Sequence, residues 1–74
     1  VFKAGDKVFH MWGHPDMRPR HLDEDFIKDL GFNSMGMIMA KIDDPSFDTS
    51  EDYWLVDIGD ELVEWREDLI MWIV

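Results

Sequence analysis

Along "KVFHMW", residues 7–12, Val8, His10 and Trp12 fall on one side of an extended chain and Phe9 and Met11 on the other. A period of two predicts a first strand over residues 7–12, with Gly5-Asp6 as the turn before it. Residues 13–19 hold Pro15 and Pro19 and read as loop. The period then changes. In "HLDEDFIKDLG", Leu22, Phe26 and Leu30 recur at helical spacing with Ile27 beside them. This predicts a short helix with Asp23 as its cap, Glu24 and Asp25 in its first turn and Gly31 just past its end.

Alternation returns at "MGMIMAKI", residues 35–42, the second expected strand. Met35, Met37 and Met39 form one side and Gly36, Ile38 and Ala40 the other. The bulkier methionine side is expected to fill the core, the alternative being an adaptable thioether surface. "DDPSFDTSED" reads as an acidic loop and "YWLVDI" as a third strand. Gly59-Asp60 reads as a tight hairpin turn, "LVEW" as a fourth strand, "REDL" as one helical turn and "IMWIV" as a fifth strand. Trp54, Val56 and Ile58 are expected to point inward, opposite Val63, Trp65 and Leu69. That leaves Tyr53 and Leu55 on the outer face, an apolar pair that can serve as a contact surface. Phe26, Ile27 and Leu30 are expected to lid one end of the fold, the alternative being an anchor flanked by Asp and Glu. The apolar last strand needs a neighbour, either within the fold or in a second subunit, so self-association through an edge strand stays open.

"YWLVDIGDELVEWREDLIMW" resembles the closing half of Src-homology-3-like small β-barrels of the Tudor and KOW type, where a tryptophan-led strand hairpins into a "V-x-W" strand and then "E-D-L". "FKAGDKVF" is similar to their opening, in which Gly-Asp precedes the first strand. The resemblance implies a mostly β fold: a five-stranded Src-homology-3-like barrel, with a short helix in the long first loop and a one-turn helix before the last strand. Residues 1–74 then form a single domain. No "ALYDY"-type motif for proline-rich peptides is present, and such barrels serve many unrelated roles, so the resemblance assigns no functional residue.

A chain of 74 residues has a small core and no cysteine, which excludes disulfides and cysteine-based metal sites. Cysteine-free composition and a polar, charged opening stretch suit a cytoplasmic protein. "DLIMWIV" is too short to cross a membrane. The net charge of −10 is unevenly placed. Residues 1–28 balance Lys3, Lys7, Arg18, Arg20 and Lys28 against Asp6, Asp16, Asp23, Glu24 and Asp25. In residues 29–74 only Lys41 and Arg66 oppose twelve carboxylates, so the whole charge of −10 lies there. Such a field repels nucleic acid and anionic lipid and attracts basic surfaces.

Candidate chemistry changes little. His10, His14 and His21 are too scattered for a zinc site and read as partly exposed imidazoles. Asp43, Asp44, Asp48, Glu51 and Asp52 lack the central glycine of a calcium loop, and Pro45 interrupts them, so a solvated acidic loop is the better reading. Ser34, Ser46, Thr49 and Ser50 sit in no nucleophile elbow, and no glycine-rich phosphate loop opens a helix. An enzyme is not expected, nor a cofactor. Arg18 and Arg20 are expected to pair with Asp16, Asp23 and Glu24 and pin the long loop; the alternative is recognition of a partner carboxylate.

The sequence therefore points to a non-catalytic, acidic interaction module that docks on a larger protein with a basic or mixed surface, without direct nucleic-acid or membrane binding. Its expected contact residues are Asp43, Asp44, Asp48, Glu51, Asp52, Tyr53, Leu55, Glu61, Glu64, Arg18, Arg20 and Phe26. Two alternatives share the charge layout. One is a mimic of nucleic-acid phosphates that blocks a nucleic-acid-binding protein. The other is an accessory subunit of a multi-chain enzyme.

Overall fold

The computed structural model describes residues 1–43 and 51–73. The alternating segments become β1 (Lys7–His10), β2 (Met35–Ile42), β3 (Tyr53–Asp57), β4 (Leu62–Arg66) and β5 (Ile70–Trp72), with one helix, α1 (Glu24–Asp29), between β1 and β2. All neighbours are antiparallel, and the five strands form one sheet in the order β4-β3-β2-β1-β5. The fold is mostly β, with the helix in the first connection and a single 3-10 turn, Glu67–Leu69, before β5, as the pattern predicted. The sheet is open: among the described residues β4 pairs only with β3, and β5 only with β1. The terminal strand thus finds its neighbour within the fold, Ile70 lying opposite His10.

β1 ends earlier than the alternation implied. The Trp12 N–H donates to His10 Nδ1 at 3.0 Å, and Met11–Gly13 fold into a 3-10 turn. A side-chain acceptor two residues back competes with the strand ladder and wins. Gly13 is required there, because a Cβ would overlap the Phe32 carbonyl. α1 begins as expected, Asp23 Oδ1 accepting the Phe26 N–H at 2.7 Å. Its buried face is narrower than the stripe suggested. Ile27 is fully buried, whereas Phe26 and Leu30 remain 42% and 45% exposed. With so short a helix, one residue anchors it.

The core joins Phe2, Val8, Ile38, Trp54, Val56, Trp65 and Ile70, with Phe32, Ile58 and Val63 packed against it. Trp54 and Val56 face inward opposite Trp65 and Val63, as expected. In β2 the alternation is correct and the side is reversed. Gly36 and Ile38 face the interior, while Met35, Met37 and Met39 stand in solvent. The reason is space. The Val56 side chain occupies the place a Cβ on Gly36 would take, and Ile38 fills the interior beside it, so this side packs inward and the methionine side is left outside. A bulge between Ile38 and Ala40 then shifts the phase, setting Ala40 and Ile42 beside Leu55 and Tyr53 on the other face.

Candidate functional site

A concavity of about 570 Å³ runs along β4 between the β3–β4 hairpin and the segment that follows α1. The 3-10 turn after β1 supplies Trp12, and the stretch after α1 supplies Leu30 and Phe32. β3 contributes Tyr53 and Leu55, and β4 contributes Leu62, Val63 and Trp65. Carboxylates of Asp29, Glu61 and Glu64 also line it, and among the described residues none of them is in an ion pair. Arg66 is the cation of the groove, and its guanidinium is already held in a bidentate pair by Asp68, Nε to Oδ1 at 2.6 Å and Nη2 to Oδ2 at 2.9 Å. The groove is therefore apolar, with uncompensated negative charge.

His10 forms part of its wall. It is buried, 1% exposed, and not the partly exposed imidazole expected from sequence. Its ring stacks on Phe32 at 3.8 Å and meets Trp65 nearly edge-on at 5.1 Å. Burial, reinforced by repulsion from Arg66, pushes its pKa down from 6.5 to about 4. Since Nδ1 accepts the Trp12 N–H, the neutral ring carries its proton on Nε2. The indole N–H of the neighbouring Trp65 is buried and finds no acceptor among the described residues. The other histidines are exposed, His14 Nδ1 accepting the Asp16 N–H at 3.2 Å. Among the described residues no group of three or more His, Asp or Glu converges to hold a metal.

The structure brings together Tyr53, Leu55, Glu61 and Glu64 of the residues singled out from sequence. Tyr53 does so from a buried position, 6% exposed, so it forms a wall and not the open patch expected on the outer face. The others lie elsewhere. Asp43, Glu51 and Asp52 are exposed outside the groove, Asp52 facing Lys41 at 3.7 Å. Asp44 and Asp48 lie outside the described residues. Phe26 packs edge-on against Phe32, with centroids 6.4 Å apart.

Arg18 does what the loop requires. Its side chain is 10% exposed, with Nη1 donating to Glu24 Oε1 at 2.8 Å and Nη2 to the Gly13 carbonyl at 3.1 Å. Arg20 is exposed and has no ion pair among the described residues. Sequence reasoning missed Trp12, Phe32, Leu62 and Asp29, whereas Leu30 enters the groove as its anchor alternative allows. A usable signal existed only for Leu62, an apolar residue that strand alternation sets out of phase with Val63 and Trp65.

No protein-family model, curated protein or solved structure matches this chain. Among the described residues no helix is long and apolar enough to cross a membrane.

Proposed function

We propose that this chain is a non-catalytic interaction module that docks a basic, partly apolar segment of a larger protein in the groove beside β4. The observation that carries this reading is an apolar channel bordered by Asp29, Glu61 and Glu64, whose lining cation is neutralised by Asp68. Within a chain of net charge −10, these groups steer a cationic partner to the channel, and the apolar walls hold it. The strand order, the helix in the first connection and the 3-10 turn before β5 support a Src-homology-3-like small barrel as the scaffold.

The test is capture from nuclease-treated lysate on the immobilised chain, with elution by rising salt and identification of what leaves. A basic protein released at moderate salt, and lost when Asp29, Glu61 and Glu64 are changed together to lysine, is the expected result. A partner that survives high salt and ignores the charge reversal overturns it. That outcome would favour the accessory-subunit reading, for which the solvent-exposed methionines of β2 are the supporting observation.

A further inference from the structure

The backbone of β4 adds a second demand to the groove. Ile58 N–H donates to the Glu61 carbonyl at 3.1 Å, and Glu67 N–H to the Asp52 carbonyl at 2.8 Å. Between them Val56 faces Val63 and Trp54 faces Trp65. Antiparallel ladders alternate hydrogen-bonded with non-bonded pairs. Glu61, Val63, Trp65 and Glu67 therefore turn their backbone groups toward β3. Leu62, Glu64 and Arg66 turn theirs the opposite way, where the sheet order ends and no described strand lies.

The groove follows this unpaired edge and straddles it. Val63 and Trp65 lie on the interior side with Trp12 and Phe32 nearby, while Leu62 and Glu64 share the opposite side with Leu55. An extended chain laid along the edge sends successive side chains to these two sides alternately. Resting on the docking reading above, we propose that the bound segment is an extended strand that adds to the sheet beside β4. Its apolar residues enter the aromatic side, and its lysines or arginines meet Glu64 on one side and Asp29 and Glu61 on the other. A second copy of this chain is the wrong occupant on charge, since each copy carries −10.

The backbone offers a clean variant. Arg66 has φ −71° and ψ 134°, a conformation proline adopts without strain, and its N–H lies outside the β3 ladder. Arg66→Pro removes one edge donor together with the guanidinium, whereas Arg66→Ala removes the guanidinium alone. The probe is a short capped peptide alternating valine with lysine, compared with one of identical composition in which all valines precede all lysines. Binding is followed by amide NMR and hydrogen exchange on the intact chain.

The expected result is protection of the Leu62, Glu64 and Arg66 amides by the alternating peptide. Arg66→Ala, which frees the Asp68 carboxylate, should bind the cationic peptide at least as tightly as the parent, and Arg66→Pro about tenfold more weakly than Arg66→Ala, the loss of one backbone hydrogen bond. Equal binding by a folded Arg66→Pro and Arg66→Ala overturns strand addition. If Arg66→Pro does not fold, amide protection in the parent chain decides. Equal binding of both peptides without edge protection overturns strand addition while leaving the docking reading intact. Binding of neither peptide also overturns strand addition, and the salt-elution experiment then judges docking separately. Concentration-dependent dimerisation that protects the same amides replaces the foreign strand with a second copy.

Discussion

The interior around Ile38 and the groove beside β4 are both built from large apolar side chains, yet they do different work. Ile38, Val8 and Val56 are wholly enclosed, each covered by strands on both sides. Leu62 remains 56% exposed one strand from Val56, because it stands on the outward side of β4, whereas Trp65 on the inward side of the same strand is 1% exposed. Hydrophobicity does not separate the two regions; the face of the sheet a residue takes, and what covers that face, does. An open five-stranded sheet has strands enough to seal its centre and none to cover its β4 edge. The centre therefore carries stability, and the open edge is where the proposed docking takes place.

The widest test of that contrast is truncation. Ile38→Ala should cost about 3 kcal/mol and lower the melting temperature by roughly 15 °C, because the cavity cannot collapse among packed strands. Leu62→Ala should change stability by less than about 0.5 kcal/mol while weakening capture of a basic partner. Thermal melts of the two variants decide it, and equal losses would erase the distinction.

His10 sits where core and groove meet. Its pKa lies below the unfolded value of 6.5, at about 4 in the fold, so the unfolded chain binds the proton first. Stability from this residue is complete above pH 6.5 and falls as pH drops toward 4, by up to about 3 kcal/mol. His10→Gln keeps an acceptor near the Trp12 N–H and has no proton to gain. Urea titrations between pH 7 and pH 4 should therefore give a flatter profile for this variant. An unchanged slope would assign the acid sensitivity to carboxylates instead.

The smallest expected effect separates two arginines of one loop. Arg18→Ala loses the bonds to Glu24 and to the Gly13 carbonyl and should cost about 1 kcal/mol. Arg20→Ala, at an exposed position, should stay within about 0.5 kcal/mol. Chemical denaturation of the pair measures the difference, and a larger loss for Arg20 would move the pinning of the loop to that residue.

Local rules determined much of this protein. Period-two alternation located the first two strands, β2 matching its expected ends, Met35 and Ile42, and β-prone runs between turn signals located the other three. Asp23 marked the helix start, and Gly59-Asp60 the hairpin. Four of the groove residues were legible in sequence order: Tyr53 and Leu55 on β3, Glu61 in the hairpin turn and Glu64 on β4. These features depend on side-chain chemistry and short-range backbone geometry, which are written in sequence order.

Tertiary structure decided the rest. Alternation divides β2 into two sides without saying which is inward; the packing of Gly36 against Val56 chose, and put the methionines outside. His10 became buried because Phe32, twenty-two positions later, stacks on its ring. Trp12, Leu30 and Phe32 joined the groove only through the packing of the first connection against β4. Sequence spacing carries no information about which distant surfaces meet, so the site took shape only when the chain closed over its core.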